Sequence, residues 1–170
     1  QAIATAALIH PKIEPELAFV TRADLRGPGC TAEEVLAATA RVHPALEIID
    51  SRYENFRFDL TSVIADNTST CRFVVGETWL APDDLDIPAV SVVLSVDGVT
   101  VHSGDAAAVL GDPAASVAML ADMLAARGEH IPAGTLILTG GITAAVRVHA
   151  GQSVTATYSA GLGSLTVSFT

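Results

Sequence analysis

The sequence predicts an α+β fold in which strands outnumber helices and the sheet is mainly antiparallel or mixed. Hairpin patterns occur at residues 90–103 and 147–170, and only two segments carry both helix caps and helical apolar spacing. Strands and helices do not alternate regularly, so a doubly wound parallel sheet is not expected. The chain has 170 residues, 50% of them hydrophobic, which predicts a single domain over residues 1–170 with a sizeable core.

The first strand is predicted over residues 17–22, where it continues the segment HPKIEPELAFV. Pro15 lies in that segment. Because proline has no backbone N–H to donate to a sheet, it predicts an edge or a bulge at this point. The sequence RGPG at residues 26–29 then predicts a turn.

A helix is predicted over residues 31–42. Thr31 is its expected N-cap, and Glu34 completes a capping box with it. Pro44 is expected to stop this helix, because proline disfavours the helical conformation in the residue before it. The apolar run at residues 45–50 then predicts a buried strand.

Residues 51–70 mix polar and aromatic side chains without a clear period, which predicts a long irregular connection with at most a short helix. Connections of this length inside compact domains are often functional. A strand is expected at residues 71–77, and a turn-rich break follows at residues 81–88.

The dipeptide Asp97-Gly98 between two apolar strands predicts a two-residue hairpin turn of the primed type. A second helix is predicted over residues 111–128, with Asp112 as N-cap and Gly128 as C-cap. Its predicted apolar face consists of Val117, Leu120, Met123 and Leu124. The remaining predicted strands are residues 135–141, 153–159 and 164–170.

The charge balance is acidic, with a formal net charge of −10 and a pI of about 4.7. No basic patch is visible, which argues against nucleic acid or an anionic membrane as a partner. No apolar run is expected to span a bilayer, since about 20 residues are needed. Cys30 and Cys71 have no metal-ligand spacing and are interpreted as free thiols, which favours a cytoplasmic location.

Three glutamates carry the strongest chemical signal. Glu14 and Glu16 are two residues apart, so an extended segment places both on one face, roughly 7 Å apart at the backbone. Glu47 lies inside the apolar run ALEII, where an unpaired carboxylate is costly. Lys12 is the only lysine in the chain, so lysines cannot neutralise them all. The residues therefore predict a hard divalent metal with oxygen ligands, Mg²⁺ or Mn²⁺.

Four motifs, HPKIEPELAFV, PALEIIDSRY, VIADNTST and LILTGG, occur in this order and together resemble the fumarylacetoacetate hydrolase superfamily. The nearest branch contains the 4-oxalocrotonate decarboxylases and 2-hydroxypentadienoate hydratases of aromatic meta-cleavage catabolism. The resemblance implies a mixed β-roll with two main helices, a Mg²⁺ or Mn²⁺ ion held by Glu14, Glu16 and Glu47, and a homo-oligomer.

The resemblance also implies a reaction. A metal-bound 2-oxo acid would be decarboxylated, with 2-oxo-3-enedioates such as 2-oxohex-3-enedioate as substrates. Hydration of 2-hydroxypenta-2,4-dienoate is the alternative within the branch. The decarboxylase is favoured because the hydratases carry an Asp-Trp pattern where this chain has Asn55-Phe56. A hydrolase is disfavoured, since no His/Glu pair can be assigned as its acid and base.

One departure from the family pattern affects the prediction. The family takes a catalytic lysine from an N-terminal segment, and these 170 residues contain no equivalent, because Lys12 belongs to the metal motif. The sequence therefore looks like the C-terminal part of a longer protein. A non-catalytic subunit, in complex with a partner hydratase or decarboxylase, remains an alternative.

Five further residues are candidates near the metal. Asp50 and Arg52 are predicted to be catalytic, Asp50 as an outer carboxylate and Arg52 as a binder of a substrate carboxylate. Turn formation and an ion pair with a neighbouring acid are their structural alternatives. Lys12, Ser69 and Thr139 are predicted to bind substrate. A surface lysine and ordinary turn hydroxyls are the corresponding alternatives.

Overall fold

The computed structural model describes all 170 residues, arranged as two five-stranded sheets and three α-helices. The first sheet has the strand order β1-β10-β9-β5-β6, and the second has the order β4-β3-β2-β7 with β8 also paired to β2. Only β1 and β10 pair in parallel, so the predicted α+β fold with a mixed sheet is confirmed. In chain order the elements are β1 (Ala2–Ile3), β2 (Lys12–Thr21), α1 (Ala32–Ala38), β3 (Thr39–Ile49), α2 (Leu60–Ala65), β4 (Thr70–Val75), β5 (Ser91–Val96), β6 (Val99–Asp105), α3 (Pro113–Ala125), β7 (Leu136–Leu138), β8 (Val146–Arg147), β9 (Ser153–Tyr158) and β10 (Gly163–Phe169).

Both predicted hairpins are present. Strands β5 and β6 are antiparallel and join through Asp97 and Gly98, which have φ values of 50° and 80°. Positive φ at both central residues is the requirement of a type I′ turn. Strands β9 and β10 form the second hairpin, and β9 pairs with β5, so the two hairpins make one continuous sheet.

The first helix is shorter than the prediction. Its capping box between Thr31 and Glu34 is confirmed, but α1 ends at Ala38 and β3 begins at once. Thr39 ends the helix by donating its hydroxyl to the Val35 carbonyl, and it is the first of several strand-forming residues. Pro44 therefore lies within a strand, and the prediction that it stops a helix is wrong.

Strand β3 tolerates Pro44 because its missing amide is not needed there. The Pro44 carbonyl accepts a hydrogen bond from Gly76, so the backbone edge of Pro44 faces the point just beyond the end of β4. Pro15 in β2 is placed in the same way. Its carbonyl accepts from Ile142, in the gap between β7 and β8, so Pro15 has a local edge as predicted. The β2–β3 bulge lies at Val20 and Thr21 instead.

Helix α3 begins where predicted, with the Asp112 carboxylate accepting a hydrogen bond from the Ala114 amide at 2.8 Å. Its predicted apolar face is only partly correct, since Leu120 and Met123 are exposed. The helix buries its small side chains instead, which lets the loop at Gly27 approach its backbone closely. The buried residues of α3 are Pro113, Ala114, Val117, Ala118 and Ala121.

The stretch Ala106–Ala125 corrects another expectation. It is 20 residues long and apolar enough to meet the length and composition criteria for a membrane span. It comprises a 3₁₀ turn, a turn at Gly111 and the α3 helix, and α3 contributes several residues to the core. The core helix of a globular domain meets the same criteria, so the stretch is weak evidence for a membrane segment.

The connection between β3 and β4 is irregular and contains one short helix, α2, as predicted. Asp59 caps this helix by accepting a hydrogen bond from Ser62 at 2.7 Å. Two short stretches of the connection have positive φ at residues other than glycine, an uncommon conformation that the surrounding contacts must hold. These residues are Asn55, Phe56, Asn67, Thr68 and Ser69.

Core burial yields the first prediction. Leu94 in β5 is fully buried within a cluster of 30 apolar residues contributed by both sheets, whereas Leu60 at the start of α2 is 74% exposed. Leu94→Ala should lower the free energy of unfolding by about 2–5 kcal/mol, because it removes buried methyl groups and leaves a cavity. The matched Leu60→Ala change should stay within about 0.5 kcal/mol. Urea unfolding of the two variants measures this difference, and equal effects would contradict the assigned core.

Candidate metal centre

Three glutamates come together because β2 and β3 pair in a fixed register. Glu14 lies directly opposite Glu47, and Glu16 lies on the same face of β2 one pleat further along. One carboxylate oxygen from each lies within 4.8 Å of the others. Glu16 and Glu47 are buried and Glu14 is half-buried. The structure thus joins the three residues that the sequence singled out, and no other cluster of three acidic, histidine or cysteine ligands is present.

The electrostatics of the cluster are unfavourable without a cation. Burial, followed by the charge of Glu47, raises the pKa of Glu14 to about 7, although Lys12 opposes this. Burial also raises the pKa of Glu16 to about 8, against the lowering effect of the Gly140 N–H, with Glu47 and Glu14 adding to the rise. Like charges placed directly opposite each other across a sheet destabilise it. The fold therefore holds the three carboxylates together although their burial and mutual repulsion make the ionised forms unfavourable.

Two glycines after β7 support the carboxylates. The Gly140 amide donates a hydrogen bond to Glu16 Oε2 at 2.7 Å. Gly140 has a φ of 117°, a conformation that favours glycine. At Gly141 a side chain has no room, since a Cβ there would lie 2.8 Å from Glu14 Oε2. The glycine turn thus supplies one donor and the space that lets Glu14 lie against the backbone.

The donor set fits a hard divalent cation. All three ligand groups offer carboxylate oxygens, which suit Mg²⁺ and Mn²⁺, and one oxygen from each lies within 4.8 Å of the others. No lysine or arginine lies within 4.0 Å of any of the three carboxylates. A divalent cation held by these oxygens would offset the repulsion among the three groups.

Asp50 anchors the segment that leads into β2. Its carboxylate oxygens accept hydrogen bonds from the amides of Ile9 and His10, each at 2.8 Å. These contacts fix the backbone two residues before β2 begins. The side chain of Asp50 is buried and its oxygens are occupied, which gives it a definite positioning role. The catalytic role predicted for Asp50 stays a prediction.

Arg52 forms an ion pair with Asp66, the structural alternative considered for it. Its guanidinium contacts the Asp66 carboxylate through Nε and donates to the Asp66 carbonyl through Nη2 at 2.6 Å. Asp66 also accepts hydrogen bonds from the hydroxyls of Ser51 and Ser69. Burial acts to raise the pKa of Asp66, but the two hydroxyls, the Arg52 amide and the Arg52 charge outweigh it and lower that pKa. The buried Asp66 carboxylate therefore links Ser51, Arg52 and Ser69 within the connection between β3 and β4.

The two hydroxyls predicted to bind substrate both make internal bonds. Ser69 donates to Asp66 at 2.9 Å, and Thr139 donates to the Leu17 carbonyl at 3.0 Å. The amide of Gly140, the residue after Thr139, donates to Glu16. These contacts give each group a structural function, and substrate binding by Ser69 and Thr139 stays a prediction.

Phe56 and Tyr158 lie close to the cluster, and no sequence pattern assigned either of them to the site. Phe56 lies under the Lys12 ammonium, with Nζ 4.1 Å from the ring centroid, and stacks on His10 at a centroid separation of 4.8 Å. Tyr158, in β9 of the other sheet, donates its hydroxyl hydrogen to the Ala45 carbonyl. Ala45 in β3 lies directly opposite Glu16 in β2. Burial raises the pKa of Tyr158 above its usual value. Sequence separation hides such contacts, since nothing local marks them.

A family model described as fumarylacetoacetate (FAA) hydrolase C-terminal matches residues 3–170. The chain belongs to this family. The match covers both sheets and includes all three glutamates, so the family resemblance inferred from the four motifs is confirmed. The fumarylacetoacetate hydrolase family fold is also confirmed by comparison with solved structures. The 4-oxalocrotonate decarboxylase from Pseudomonas putida G7, complexed with magnesium and adipate, superposes with a TM-score of 0.96 at 52% identity. That comparison covers 99% of this chain and 64% of the other.

Named relatives divide between two activities. A 4-oxalocrotonate decarboxylase of Pseudomonas sp. strain CF600 is 57% identical over 97% of this chain. A 2-keto-4-pentenoate hydratase of Burkholderia vietnamiensis is 36% identical over 97% of this chain. The chain spans 62% and 63% of the lengths of these two relatives, so it corresponds to somewhat less than two thirds of each.

The raised pKa values predict how stability depends on pH in the metal-free chain. Glu14 and Glu16 keep their protons in the folded state up to about pH 7 and pH 8, while the unfolded chain loses them near the ordinary value of 4.5. Between these limits the folded state binds more protons than the unfolded state. The free energy of unfolding should therefore be highest below pH 4.5, as far as these two groups determine it, and fall as the pH rises to about 8.

Denaturant unfolding in the presence of a chelator, at several pH values, measures this slope. Glu16→Gln provides the matched control, because the amide oxygen can still accept from Gly140 but the group cannot ionise. The slope should be shallower in this variant. Stability that rises with pH over the same interval in the unmodified chain would contradict the assignment.

Proposed function

We propose that residues 1–170 form a single catalytic domain that decarboxylates 2-oxo-3-enedioates, such as 4-oxalocrotonate (2-oxohex-3-enedioate), with the help of Mg²⁺ or Mn²⁺. The product would be 2-hydroxypenta-2,4-dienoate in aromatic meta-cleavage catabolism. The observation that carries the proposal is the buried cluster of Glu14, Glu16 and Glu47 in a chain 57% identical to a 4-oxalocrotonate decarboxylase. The identity to decarboxylases favours this reaction over hydration.

The three glutamates would hold the ion through their carboxylate oxygens. When bound, the ion supplies a Lewis acid that polarises a 2-oxo carbonyl and a template that orients the substrate. Gly140 keeps Glu16 in place through its amide, and the side-chain-free position at Gly141 keeps Glu14 against the turn. Burial of Glu16 and Glu47 limits water around them, which strengthens electrostatic interactions in the site.

Residues around the three glutamates would position the metal centre and the substrate. Asp50 fixes the start of β2 through the amides of Ile9 and His10, so its contribution to catalysis would act through the placement of Glu14. The side chain of Arg52 is 59% exposed although it pairs with Asp66. Its exposed guanidinium nitrogens would bind a carboxylate of the substrate. Ser69 lies beside the same Asp66.

Hydration of 2-hydroxypenta-2,4-dienoate is the second candidate, favoured by hydratases among the relatives, such as the 2-hydroxyhexa-2,4-dienoate hydratase of Comamonas testosteroni at 40% identity. A non-catalytic subunit bound to such an enzyme is the third candidate. The proposal includes a cytoplasmic location and assembly into a homo-oligomer, or into a complex with a partner hydratase.

Metal binding provides the first test of the proposal. Calorimetric titration with Mn²⁺ should give about one ion per chain, and Glu47→Gln should abolish it, because the variant loses one of the charged ligands that ions of this type prefer. Glu33→Gln removes an exposed carboxylate on α1 and should leave binding unchanged. Absence of Mn²⁺ binding in the unmodified chain would reject the proposed metal site.

Activity separates the candidate functions. With Mn²⁺ or Mg²⁺ present, the decarboxylase proposal expects CO₂ release from 2-oxohex-3-enedioate and no hydration of 2-hydroxypenta-2,4-dienoate. The reverse pattern would favour the hydratase. Metal binding without turnover of either compound would favour the non-catalytic subunit, and a stable complex with an active hydratase would then be expected. Each reaction can be followed by the loss of absorbance of the conjugated substrate, with CO₂ measured separately.

A further inference from the structure

The glycine turn that supports Glu16 lies outside the regular strands. Strand β7 ends at Leu138 and β8 begins at Val146, so strand pairing does not fix the residues between them. Gly140 has a φ of 117°, and glycine restricts the backbone less than any other residue. The peptide group that carries the Gly140 amide therefore needs contacts of its own to keep this donor directed at Glu16.

Strand β2 supplies the first of these contacts. The Leu17 carbonyl accepts two hydrogen bonds from Thr139, one from its amide at 3.1 Å and one from its hydroxyl at 3.0 Å. Leu17 follows Glu16 in β2, so the turn is attached to the strand directly beside the metal ligand. These two bonds fix Thr139, but neither of them holds the peptide group between Thr139 and Gly140.

Helix α3 supplies the second contact, at the carbonyl end of that peptide group. The Ser116 hydroxyl donates to the Thr139 carbonyl at 2.9 Å, and no other donor bonds this carbonyl. The same hydroxyl lies 2.8 Å from the Pro113 carbonyl, so two acceptors share one hydrogen. Ser116 is in the first turns of α3, and its neighbours Ala114 and Val117 are buried in the core. The hydroxyl is therefore held on a rigid element.

One peptide group thus connects α3 with the metal ligand. The Thr139 carbonyl and the Gly140 N–H belong to the same trans planar unit and point in opposite directions. Ser116 donates to one end, and the other end donates to Glu16 Oε2 at 2.7 Å. Hydrogen bonds arranged in a chain polarise one another, so the hydroxyl strengthens the bond that Glu16 accepts. Rotation of the peptide group would break both bonds together.

We propose that Ser116 is a positioning residue of the metal centre, which acts on Glu16 through the peptide group between Thr139 and Gly140. The inference rests on the proposed metal centre and deepens it, because it gives a role there to a helix that contributes no ligand. The Gly140 amide holds Glu16 Oε2, which leaves Oε1 free to bind the cation. Removing a residue that orients a metal ligand in this way typically lowers metal affinity by about 10–100-fold.

Mn²⁺ affinity tests the inference. Ser116→Ala should weaken Mn²⁺ binding by about tenfold, since Glu16 loses part of its support. Ser116→Thr keeps the hydroxyl and should retain most of the affinity, because a helical threonine can also bond the carbonyl three residues earlier, as Ser116 bonds Pro113. Ser164→Ala is the matched control, because it removes an exposed hydroxyl that bonds Thr157 in the first sheet. Calorimetric titration compares the three variants with the unmodified chain.

Hydrogen exchange of single amides separates positioning from a general effect on the fold. In the metal-free chain, NMR should show the Gly140 amide exchanging about tenfold faster in Ser116→Ala, because the turn opens more easily. Ser164→Ala should leave this rate unchanged. Faster exchange at the buried Leu94 of β5, or along α3, with an unchanged rate at Gly140 would mean that Ser116 stabilises the core or its own helix without holding the turn.

The outcomes that contradict the inference differ from the one that contradicts the metal centre. Full Mn²⁺ affinity in Ser116→Ala would reject the positioning role and leave the proposed metal centre intact. The same holds for an unchanged exchange rate at Gly140, and for equal loss of affinity in Ser116→Ala and Ser116→Thr. Absence of Mn²⁺ binding in the unmodified chain would reject the metal centre and, with it, the role of Ser116.

Discussion

The repulsion among three carboxylates, two buried and one half-buried, is the constraint around which this part of the molecule is organised. Glu14 and Glu47 are forced together by the register of β2 and β3, and Glu16 follows from the pleat. Moving either strand by one residue would turn the glutamates to the opposite face and bring apolar core residues such as Ile13 and Ile48 to the site. The apolar face of the same strands therefore holds the carboxylates in place, since the core specifies the register.

The surroundings of the cluster supply an N–H donor and space, and Lys12, whose charge opposes the rise in the pKa of Glu14, forms no ion pair with it. Gly140 donates its amide, Gly141 leaves room, and the Lys12 ammonium lies 4.1 Å from the centroid of the Phe56 ring. An ion pair between Lys12 and Glu14 would have been the simplest way to lower the electrostatic cost. Its absence keeps all three carboxylates available to a common ligand.

Sequence patterns predicted the parts of the fold that depend on local rules. The type I′ turn at Asp97, the capping box at Thr31 and the clustering of the glutamates all follow from residue type and spacing. Local rules failed where tertiary contacts decided the outcome. Pro44 lies in a strand because its backbone edge faces the point just beyond the end of β4, and the small buried side chains of α3 let the loop at Gly27 approach its backbone closely.

The same limit applies to the site. Acidic residues at strand spacing can be recognised in a sequence, but the Gly140 amide and the Phe56 ring become neighbours of the glutamates only through pairing and loop geometry. The hydroxyls of Ser69 and Thr139 illustrate the converse. They belong to recognisable motifs, and the fold uses both for internal hydrogen bonds.

The hydrogen bond from Gly140 to Glu16 has a consequence for how the protein folds during its synthesis on the ribosome. The two residues are 124 positions apart, and Tyr158 contacts β3 across 113 positions. Strands β2 and β3 are synthesised before Gly140 and Tyr158. Contacts between residues so far apart in the sequence form late, because closing a long loop costs conformational entropy. The glutamate cluster can therefore gain its Gly140 donor only after the segment that follows β7 has been synthesised.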